Sequence, residues 1–276
     1  MRNTISLTKK KGVDENGKQY RQQPVVCHAK AIPQNIVEIE LLYRDGLKLA
    51  IKYKESDINH LVPSGNSASI DLGEIHSIAS IDNFGHAIII TGRKLRSIKR
   101  FRDKEQAKLR SKMSRCTKGS RQYRKYAKAK WKLQYKADNQ IKDAIHKTTK
   151  LYLDYCIEHN ITTVYYGDLD SCTRNTNGRV SLATGQKLNE WSHGAIVRQL
   201  ENKLGRYGIE LIQVDEAYTS RKCPACGSHN KTVTRNYRCE CGYEQHRDLV
   251  GAINLENQNG GTELIRYTNK RYLRIA

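Results

Sequence analysis

Alternating apolar and polar positions run through residues 36–91 and predict β-structure. Residues 36–53 read IVEIELLYRDGLKLAIKY, two alternating runs joined at Asp45 and Gly46, which is a strong signal for a β-hairpin. Three further runs, bounded by short turns, predict the strands of an antiparallel meander: 67–73, 76–82 and 86–91. Residues 1–35 show no clear period.

Two helices are predicted after the meander. Gly119, within the sequence TKGS at 117–120, is expected to end the first helix, and Ser120 is expected to cap the second. The second helix is expected to continue to about His159, because its later apolar positions keep helical spacing: Ile141, Ile145, Thr148, Tyr152 and Cys156.

The remaining pattern alternates strand and helix. The predicted elements are a strand at 161–166, a helix at 191–206 with Ile196, Val197, Leu200 and Leu204 on one side, a strand at 209–214 and a helix at about 247–257. Polar, turn-rich sequence from Asp170 to about Glu190 is a candidate flexible loop. The order β-β-β-α-β-α-β-insert-α predicts an α/β fold of the RNase H-like type over about 67–257, followed by a basic tail at 258–276.

Composition excludes several classes of protein. A chain of 276 residues suits one or two domains and is too long for a small disulfide scaffold. The net charge of +21 points to a polyanionic partner and excludes an acidic-tail protein. Because no apolar run approaches the roughly 18 residues needed to cross a bilayer, and the first residues lack a signal-peptide core, we expect a cytoplasmic, nucleoid-associated protein without membrane contact.

The positive charge is concentrated in one segment. Residues 93–136 contain 19 Lys or Arg and two acids, Asp103 and Glu105, so that this segment carries +17 of the total charge. Cations packed this densely repel one another, which favours contact with phosphates over a merely solvated helix face. Charge density alone selects these candidates for nucleic-acid binding: Arg96, Lys99, Arg100, Arg102, Arg121, Arg124 and Lys125.

Aromatic side chains are interleaved with these cations at near-helical spacing: Tyr123, Tyr126, Trp131 and Tyr135. They could stack on bases or form the seam along which the helix packs, and the second role is favoured.

Four of the eight cysteines have the spacing of a metal site. Cys223 and Cys226 are followed after twelve residues by Cys239 and Cys241, with glycines after Cys226 and Cys241 that allow tight turns around an ion. The pattern predicts a closed, structural Zn2+ site in a ribbon at about 217–246, with disulfides as the alternative. The other cysteines, Cys27, Cys116, Cys156 and Cys172, lie outside this spacing and are expected to be incidental or buried thiols.

Carboxylates are expected at one edge of the RNase H-like sheet. Asp71 on the first strand and Asp248 at the start of the last helix can converge there, and the small residues Gly251 and Ala252 permit close packing of that helix. Hydrolysis of a phosphodiester by two Mg2+ or Mn2+ ions needs a third ligand. At the end of the fourth strand, where an acid is expected, the chain has Gly167.

Three possibilities remain for the third acid. Glu216 follows the fifth strand, which lies beside the fourth, and is favoured. Asp168 and Asp215 are disfavoured, because strand alternation turns each to the other face. In the remaining case there is no third acid and the site is inactive.

Four sequence segments are informative together: IDLG (70–73), YGDL (166–169), VDEAYTSRKCPACG (214–227) and CGYEQHRDLVGAIN (241–254). They resemble the TnpB family, transposon-encoded OrfB proteins related to type V CRISPR effectors. The resemblance covers about residues 36–256. It implies a RuvC-like nuclease domain with an inserted zinc ribbon, acting as a DNA endonuclease directed to target DNA by a guide RNA from its own element. The family's motif acids fall on Asp71, on the position occupied by Gly167, and on Asp248.

The chain departs from the family pattern in two places. Some family members with GDL at the place of residues 167–169 look as though their catalytic glutamate has moved to the place of Glu216. Others resemble nuclease-dead, RNA-guided repressors. The resemblance also implies an N-terminal β-barrel wedge and a helical recognition lobe. Residues 1–66 have room for part of that barrel, including the 36–53 hairpin, and we expect the recognition lobe to be absent, as in a fragment or a minimal form.

Overall fold

A computed structural model describes most of the chain. The residues described are 3–7, 12–13, 15–20, 25–29, 31–43, 47–54, 60–167, 192–215, 221–230, 234–260 and 269–275. The chain divides into two compact units, Met1–Asn59 and His60–Ala276. The predicted loop at 170–190 and the candidate acids Asp168 and Glu216 lie outside the described residues.

The first unit consists of antiparallel strand pairs. Its strands are β1 (Asn3–Leu7), β2 (Gly12–Val13), β3 (Gln19–Tyr20), β4 (Val25–Ala29), β5 (Ile36–Tyr43) and β6 (Leu47–Tyr53). β1 pairs with β4, β2 with β3, and β5 with β6, and no wider sheet joins these pairs within the described residues. The β5–β6 pair confirms the predicted hairpin, while its turn at Asp45 and Gly46 is outside the described part.

The second unit is built on a six-stranded sheet with the order β11-β10-β7-β8-β9-β14. Its strands are β7 (Ser67–Asp71), β8 (His76–Asp82), β9 (His86–Thr91), β10 (Thr163–Gly167), β11 (Glu210–Val214) and β14 (Asn269–Leu273). β7, β8 and β9 form the predicted antiparallel meander. β10 is parallel to β7, and β11 is parallel to β10 and lies beside it, as expected for the fourth and fifth strands.

Strand β14 differs from the sequence-based expectation. Residues 258–276 were expected to form a basic tail, yet Asn269–Leu273 pairs in parallel with β9 along the sheet edge. Arg271 on this strand makes a two-point ion pair with Glu158. Most of this edge strand stays exposed, and its sequence NKRYL accordingly lacks apolar alternation. Main-chain hydrogen bonds to β9, rather than burial of side chains, hold it in the sheet.

In the described part of the chain, four helices accompany the sheet: α1 (Arg93–Ser114), α2 (Arg121–Glu158), α3 (His193–Gly205) and α4 (Arg247–Asn259). None of the helices in the described part is long and apolar enough to cross a membrane. Two smaller strands, β12 (Asn236–Arg238) and β13 (Glu244–His246), pair in the segment that precedes α4.

Helices α1 and α2 form a long hairpin. Ser120 caps α2 as predicted, its hydroxyl accepting a hydrogen bond from the Tyr123 amide. Gly119 has the predicted left-handed backbone (φ 82°), but it lies in the link and does not end α1, which stops at Ser114. The second half of α2 packs in the core through the positions that the helical period indicated, including Ile145, Tyr152 and Cys156.

Strand alternation gives the sheet two distinct faces. Ala68 and Ile70 of β7 point to the core shared with α2 and α3, which includes Tyr152 and Leu200. The alternate residues of β7 face α4, whose Glu256 accepts hydrogen bonds from the hydroxyls of Ser67 and Ser69. Helix α4 therefore runs antiparallel to β7, and its N-terminus lies at the end of the sheet where β7 finishes.

Glu256 supports a test of this packing. The residue is wholly buried, and burial raises the pKa of its carboxyl above the ordinary 4.5, although the two serine hydroxyls oppose the shift. The folded chain then holds this proton more tightly than the unfolded chain, so that the free energy of unfolding falls as pH rises from about 4.5 through the folded-state pKa. We expect Glu256→Gln to raise the melting temperature at pH 7.5, because the glutamine carries no charge to bury, and we expect this gain to vanish towards pH 4.5.

Thermal melts of both proteins between pH 4.5 and 8 would measure this effect. Glu201→Gln, an exposed change on α3, is the matched control and should leave the melting temperature unchanged. A gain that is equal at every pH would contradict the titration argument.

Candidate functional site

Three parallel strands end side by side at one edge of the sheet. Gly167, the last residue of β10, pairs with Val214, the last residue of β11. The preceding residue, Tyr166, pairs with Ile70, so that Gly167 lies level with Asp71 at the end of β7. Asp71, Gly167 and Val214 form one row on the α4 side of the sheet, since in-register residues of parallel strands share a face.

Asp71 lies directly against α4. A Cβ atom added to Gly251 would stand 2.8 Å from Asp71 Oδ2 and 3.2 Å from its Cγ, closer than a real side chain can approach. This contact confirms that a small residue at position 251 lets the helix approach the sheet. Any larger residue there would displace either the Asp71 carboxylate or the helix.

Asp248 occupies the first turn of the same helix, three residues before Gly251. His246 caps the helix, its ring Nδ1 accepting a hydrogen bond from the Asp248 amide. Residues three apart are neighbours on a helix surface, so that the Gly251 contact brings the Asp71 and Asp248 positions to the same edge. An acid at a helix N-terminus also interacts favourably with the helix dipole.

Arg235 makes a contact with Asp248 that the sequence did not indicate. Its Nη1 donates to Asp248 Oδ1 at 2.9 Å and to Oδ2 at 3.0 Å, while the Arg235 carbonyl accepts from the Arg247 amide at 2.8 Å. Arg235 lies just before β12, so these contacts attach the cysteine-containing segment to the start of α4.

Two histidines also stand beside Asp248. The ligand atoms of His76, His246 and Asp248 lie within 4.8 Å of one another, and the two imidazole rings meet edge to face at 5.0 Å. His76 is 4% exposed, its Nδ1 has no hydrogen-bond partner among the described groups, and burial lowers its pKa to about 4. His76 is therefore neutral at physiological pH and offers an imidazole nitrogen next to a carboxylate.

The four predicted cysteines come together in a second cluster. Their ligand atoms lie within 4.8 Å of one another, with Cys223 Sγ 3.7 Å from Cys241 Sγ and Cys226 Sγ 3.5 Å from Cys239 Sγ. A tetrahedral ion bonded to each sulfur at about 2.3 Å requires sulfurs roughly 3.8 Å apart. The cluster is thus positioned to bind a metal.

Two tight turns build this cluster. Gly227 and Gly242 adopt the left-handed backbone (φ 73° and 86°), as predicted from their places after Cys226 and Cys241. The Ser228 hydroxyl contacts the sulfurs of Cys226 and Cys239 and lowers the pKa of Cys239 to about 6, which favours the thiolate that binds metals. Cys223 is buried and packs with Tyr237 against Val250 of α4.

The cationic candidates lie on the α1–α2 hairpin with different surroundings. Arg100, Arg121, Arg124 and Lys125 are exposed. Arg96 pairs with Glu74, and Arg102 pairs with Asp103 and is only 12% exposed in its side chain. Lys99 is half-buried.

The aromatic residues of the hairpin differ in their surroundings. Lys112 of α1 lies over the Tyr126 ring at 5.9 Å, which places Tyr126 between the two helices. Trp131 stacks on Tyr135 at 5.7 Å and remains 46% exposed.

Two family models match the chain. Residues 50–172 match the OrfB family of IS605 elements, described as a probable transposase, and residues 193–255 match the Cas12f1-like TNB domain. A TnpB-like protein of Acidianus two-tailed virus is 25% identical over 217 residues, which are 75% of this chain and 45% of that protein. This chain is therefore similar to TnpB proteins over most of its length.

Further relatives extend the comparison. A Cas12f1 from an uncultured archaeon, named a CRISPR-associated endodeoxyribonuclease, is 27% identical over 114 residues, 38% of this chain and 21% of that protein. In both of these curated relatives the matched segment spans less than half of the relative. A cryo-EM structure of a CRISPR-Cas12f ternary complex superposes with a TM-score of 0.57 at 19% identity, covering 96% of this chain and 60% of that one. The protein thus has a mixed α/β, Cas12f-like fold.

The sequence indicated some of the residues that meet in this region and missed others. It singled out the four cysteines, which the structure brings together, and the two aspartates, because each lies in a compact motif. His246 lay within the quoted QHRD motif but was given no role. His76 and Arg235 carried no signal, because their proximity to Asp248 depends on how β8 and the cysteine segment meet α4.

Removing the metal from the cysteine cluster should unfold the segment that contains it. Small zinc modules derive an apparent binding free energy on the order of 10 kcal/mol from their ion, and Cys223 and Tyr237 also cover Val250 of α4. We expect a strong chelator to release the ion held by the four cysteines and to lower the melting temperature, as measured by elemental analysis and calorimetry.

Cys239→Ser should lose the same ion without chelator. Cys116→Ser, a change of a half-buried thiol outside the cluster, is the matched control and should retain it. A melting profile that is unchanged after the ion has left would contradict the four-thiolate assignment.

Proposed function

We propose that this chain is an RNA-guided, metal-dependent DNA endonuclease of transposon origin. The observation that carries the proposal is the approach of α4 to β7, where the Gly251 contact brings the positions of Asp71 and Asp248 to one edge of the sheet. The strand order supports an RNase H-like domain of the RuvC type with an inserted zinc ribbon. The relative named an endodeoxyribonuclease supports the reaction class.

Asp71 and Asp248 would hold Mg2+ or Mn2+, because carboxylate oxygens are the ligands these ions prefer. Divalent ions bound there supply charge stabilisation to the attacking and leaving oxygens of a phosphodiester. The chain's own part is to fix the two carboxylates, through the strand end at Asp71 and the capped helix start at Asp248. Arg235 contacts both oxygens of Asp248, so that an ion and Arg235 would compete for or share them.

Glu216 is our candidate for the third ligand. Val214 belongs to the row formed with Gly167 and Asp71, and Glu216 follows Val214 by two residues. An extended chain would turn Glu216 to the same side as Asp71, while Asp215 would turn to the opposite side. Gly167 contributes no side chain to the row, which leaves this place to a longer residue from the neighbouring strand.

We assign Zn2+ to the four-cysteine cluster. Four thiolates in a closed tetrahedral arrangement are typical of structural zinc sites, which keep no position open for a substrate. The match to the Cas12f1-like TNB domain includes all four cysteines and supports a ribbon at this place.

The α1–α2 hairpin is our candidate surface for guide RNA and target DNA. Its exposed arginines and lysines would contact phosphates, a form of contact that does not read sequence. Base pairing between guide and target would then supply the specificity. One structurally similar chain comes from a cryo-EM structure of a Cas12f1 complex with sgRNA and target DNA, which supports these partners.

A second candidate function rests on Gly167, which replaces the expected acid. If Glu216 does not complete the site, two carboxylates remain, and the chain would act as a nuclease-dead, RNA-guided DNA-binding protein of the repressor type, or persist as a decayed transposon fragment. The same hairpin would serve this function, so that binding alone does not distinguish the two candidates.

Cleavage assays with matched variants distinguish them. The chain, purified with RNA from the flank of its element, should cleave guide-matched DNA in Mg2+ or Mn2+. We expect Glu216→Gln to reduce cleavage by more than the roughly 10- to 100-fold that follows loss of an outer-shell metal partner, and to leave DNA retention intact. Asp71→Asn and Asp248→Asn should behave in the same way.

Asp215→Asn is the control, because it removes the charge next to Glu216 at a position that strand alternation turns away from Asp71. It should keep the parental cleavage rate. A parent chain that binds DNA and leaves it intact would establish the second candidate, and cleavage by Glu216→Gln would remove Glu216 from the site.

The salt dependence of DNA binding tests the hairpin surface. Each phosphate contact contributes about 0.9 to the slope of log affinity against log salt for duplex DNA. We expect replacement of the exposed Arg121, Arg124 and Lys125 by Gln to lower this slope by about two to three.

A triple variant with the same charge change serves as the control. Lys142, Lys147 and Lys150 lie on the same helix beyond the cationic segment, and the last two pair with Asp143 and Asp154. Their replacement by Gln should change the slope little. Equal slopes in the two triple variants would place the contact surface elsewhere.

A further inference from the structure

A third cluster of metal-ligating side chains lies at the far end of the sheet. Asp82 ends β8, His86 begins β9, and His159 follows directly after α2. Asp82 pairs with Ala68, near the start of β7, so this cluster stands at the opposite end of that strand from Asp71. Neither the family resemblance nor the proposed nuclease site involves these three residues.

The three ligand atoms are spaced as a bound ion requires. Asp82 Oδ2 lies 2.9 Å from His86 Nδ1 and 3.4 Å from His159 Nδ1, and all three atoms lie within 4.8 Å of one another. An ion bonded at about 2.0–2.2 Å to nitrogen and oxygen ligands needs neighbouring ligand atoms roughly 2.9–3.5 Å apart. The two imidazole rings approach to 4.6 Å and converge on one carboxylate oxygen.

The surroundings hold each ligand in this orientation. Asp82 is wholly buried, and its second oxygen, Oδ1, accepts hydrogen bonds from the amides of Phe84 and His86 at 3.0 and 2.8 Å. Tyr155 packs its ring 4.6 Å from that of His159 and donates its hydroxyl to the His86 carbonyl. Such outer contacts are what orient the ligands of protein metal sites.

The cluster is also accessible. The His86 side chain is 40% exposed and that of His159 is 16% exposed, while the carboxylate lies beneath them. An ion can therefore enter from solvent past His86 and reach a buried anionic oxygen.

We propose that Asp82, His86 and His159 form a binding site for a divalent first-row transition ion. The two histidines would bind through Nδ1, with their protons on Nε2, and Asp82 would bind through Oδ2, leaving further positions for water. Imidazole and carboxylate donors suit ions such as Zn2+, Ni2+ or Fe2+, whereas the cysteine cluster offers only sulfur. A bound ion would connect the β8–β9 turn to the end of α2 and so fix the long cationic helix to the sheet.

Nickel binding to the full-length chain that carries one Zn2+, held by the cysteine cluster, tests the proposal. Ni2+ is titrated calorimetrically into the parent, His86→Ala and His159→Ala, and bound metal is counted by elemental analysis after gel filtration. We expect the parent to bind one more Ni2+ per chain than either variant and to melt at a higher temperature with Ni2+ present. The nickel-dependent rise in melting temperature should be absent from both variants.

Two further variants keep the interpretation specific. His146→Ala removes an exposed histidine from the same helix and should bind Ni2+ as the parent does. His76→Ala removes a ligand of the cluster beside Asp248 and should also retain this ion. Equal stoichiometry in the parent, His86→Ala and His159→Ala would overturn the proposal and leave a hydrogen-bonded carboxylate between two histidines.

Discussion

The close approach of helix α4 to strand β7 is the contact on which the candidate site depends. Gly251 allows it, because a side chain at that position would meet the Asp71 carboxylate. Glu256 fixes it further along, where its carboxylate accepts hydrogen bonds from Ser67 and Ser69. With the helix aligned at both points, its first turn and Asp248 reach the edge at which three parallel strands end.

This alignment connects the cysteine cluster to the same edge. Cys223 and Tyr237 pack on Val250, one residue before the glycine that contacts Asp71. Arg235 extends from the same segment to the carboxylate of Asp248. A metal ion held by the four sulfurs would therefore stabilise not only its own turns but also the position of an acid that lies outside them.

Helix α2 combines two environments in one element. Its first half carries the exposed cations of the hairpin, and its second half fills the core beneath the sheet through residues such as Tyr152 and Cys156. The junction at its end is where His159 meets Asp82 and His86, and where Glu158 pairs with Arg271 of the edge strand. Residues of β8, β9 and β14 thus hold the C-terminal end of α2, and the first half of the same helix presents the charged surface.

Much of this architecture was predictable from local pattern. The meander, the long helix, the alternating strands and helices, the two cysteine turns and the two aspartates each have a signal within a short stretch of sequence, because period, capping and motif spacing are local properties. Charge density likewise located the hairpin surface, although not which cations are free of acidic neighbours, as the pairs of Arg96 with Glu74 and Arg102 with Asp103 show.

The tertiary structure alone decided the rest. The edge strand Asn269–Leu273 has a charged sequence and is recruited by main-chain hydrogen bonds, which no side-chain pattern records. His76 meets Asp248 across more than 170 residues, and His159 meets Asp82 across more than 70. Such clusters arise where separate elements pack together, so that the sequence by itself determined the elements and their motifs, and packing determined which side chains share a site.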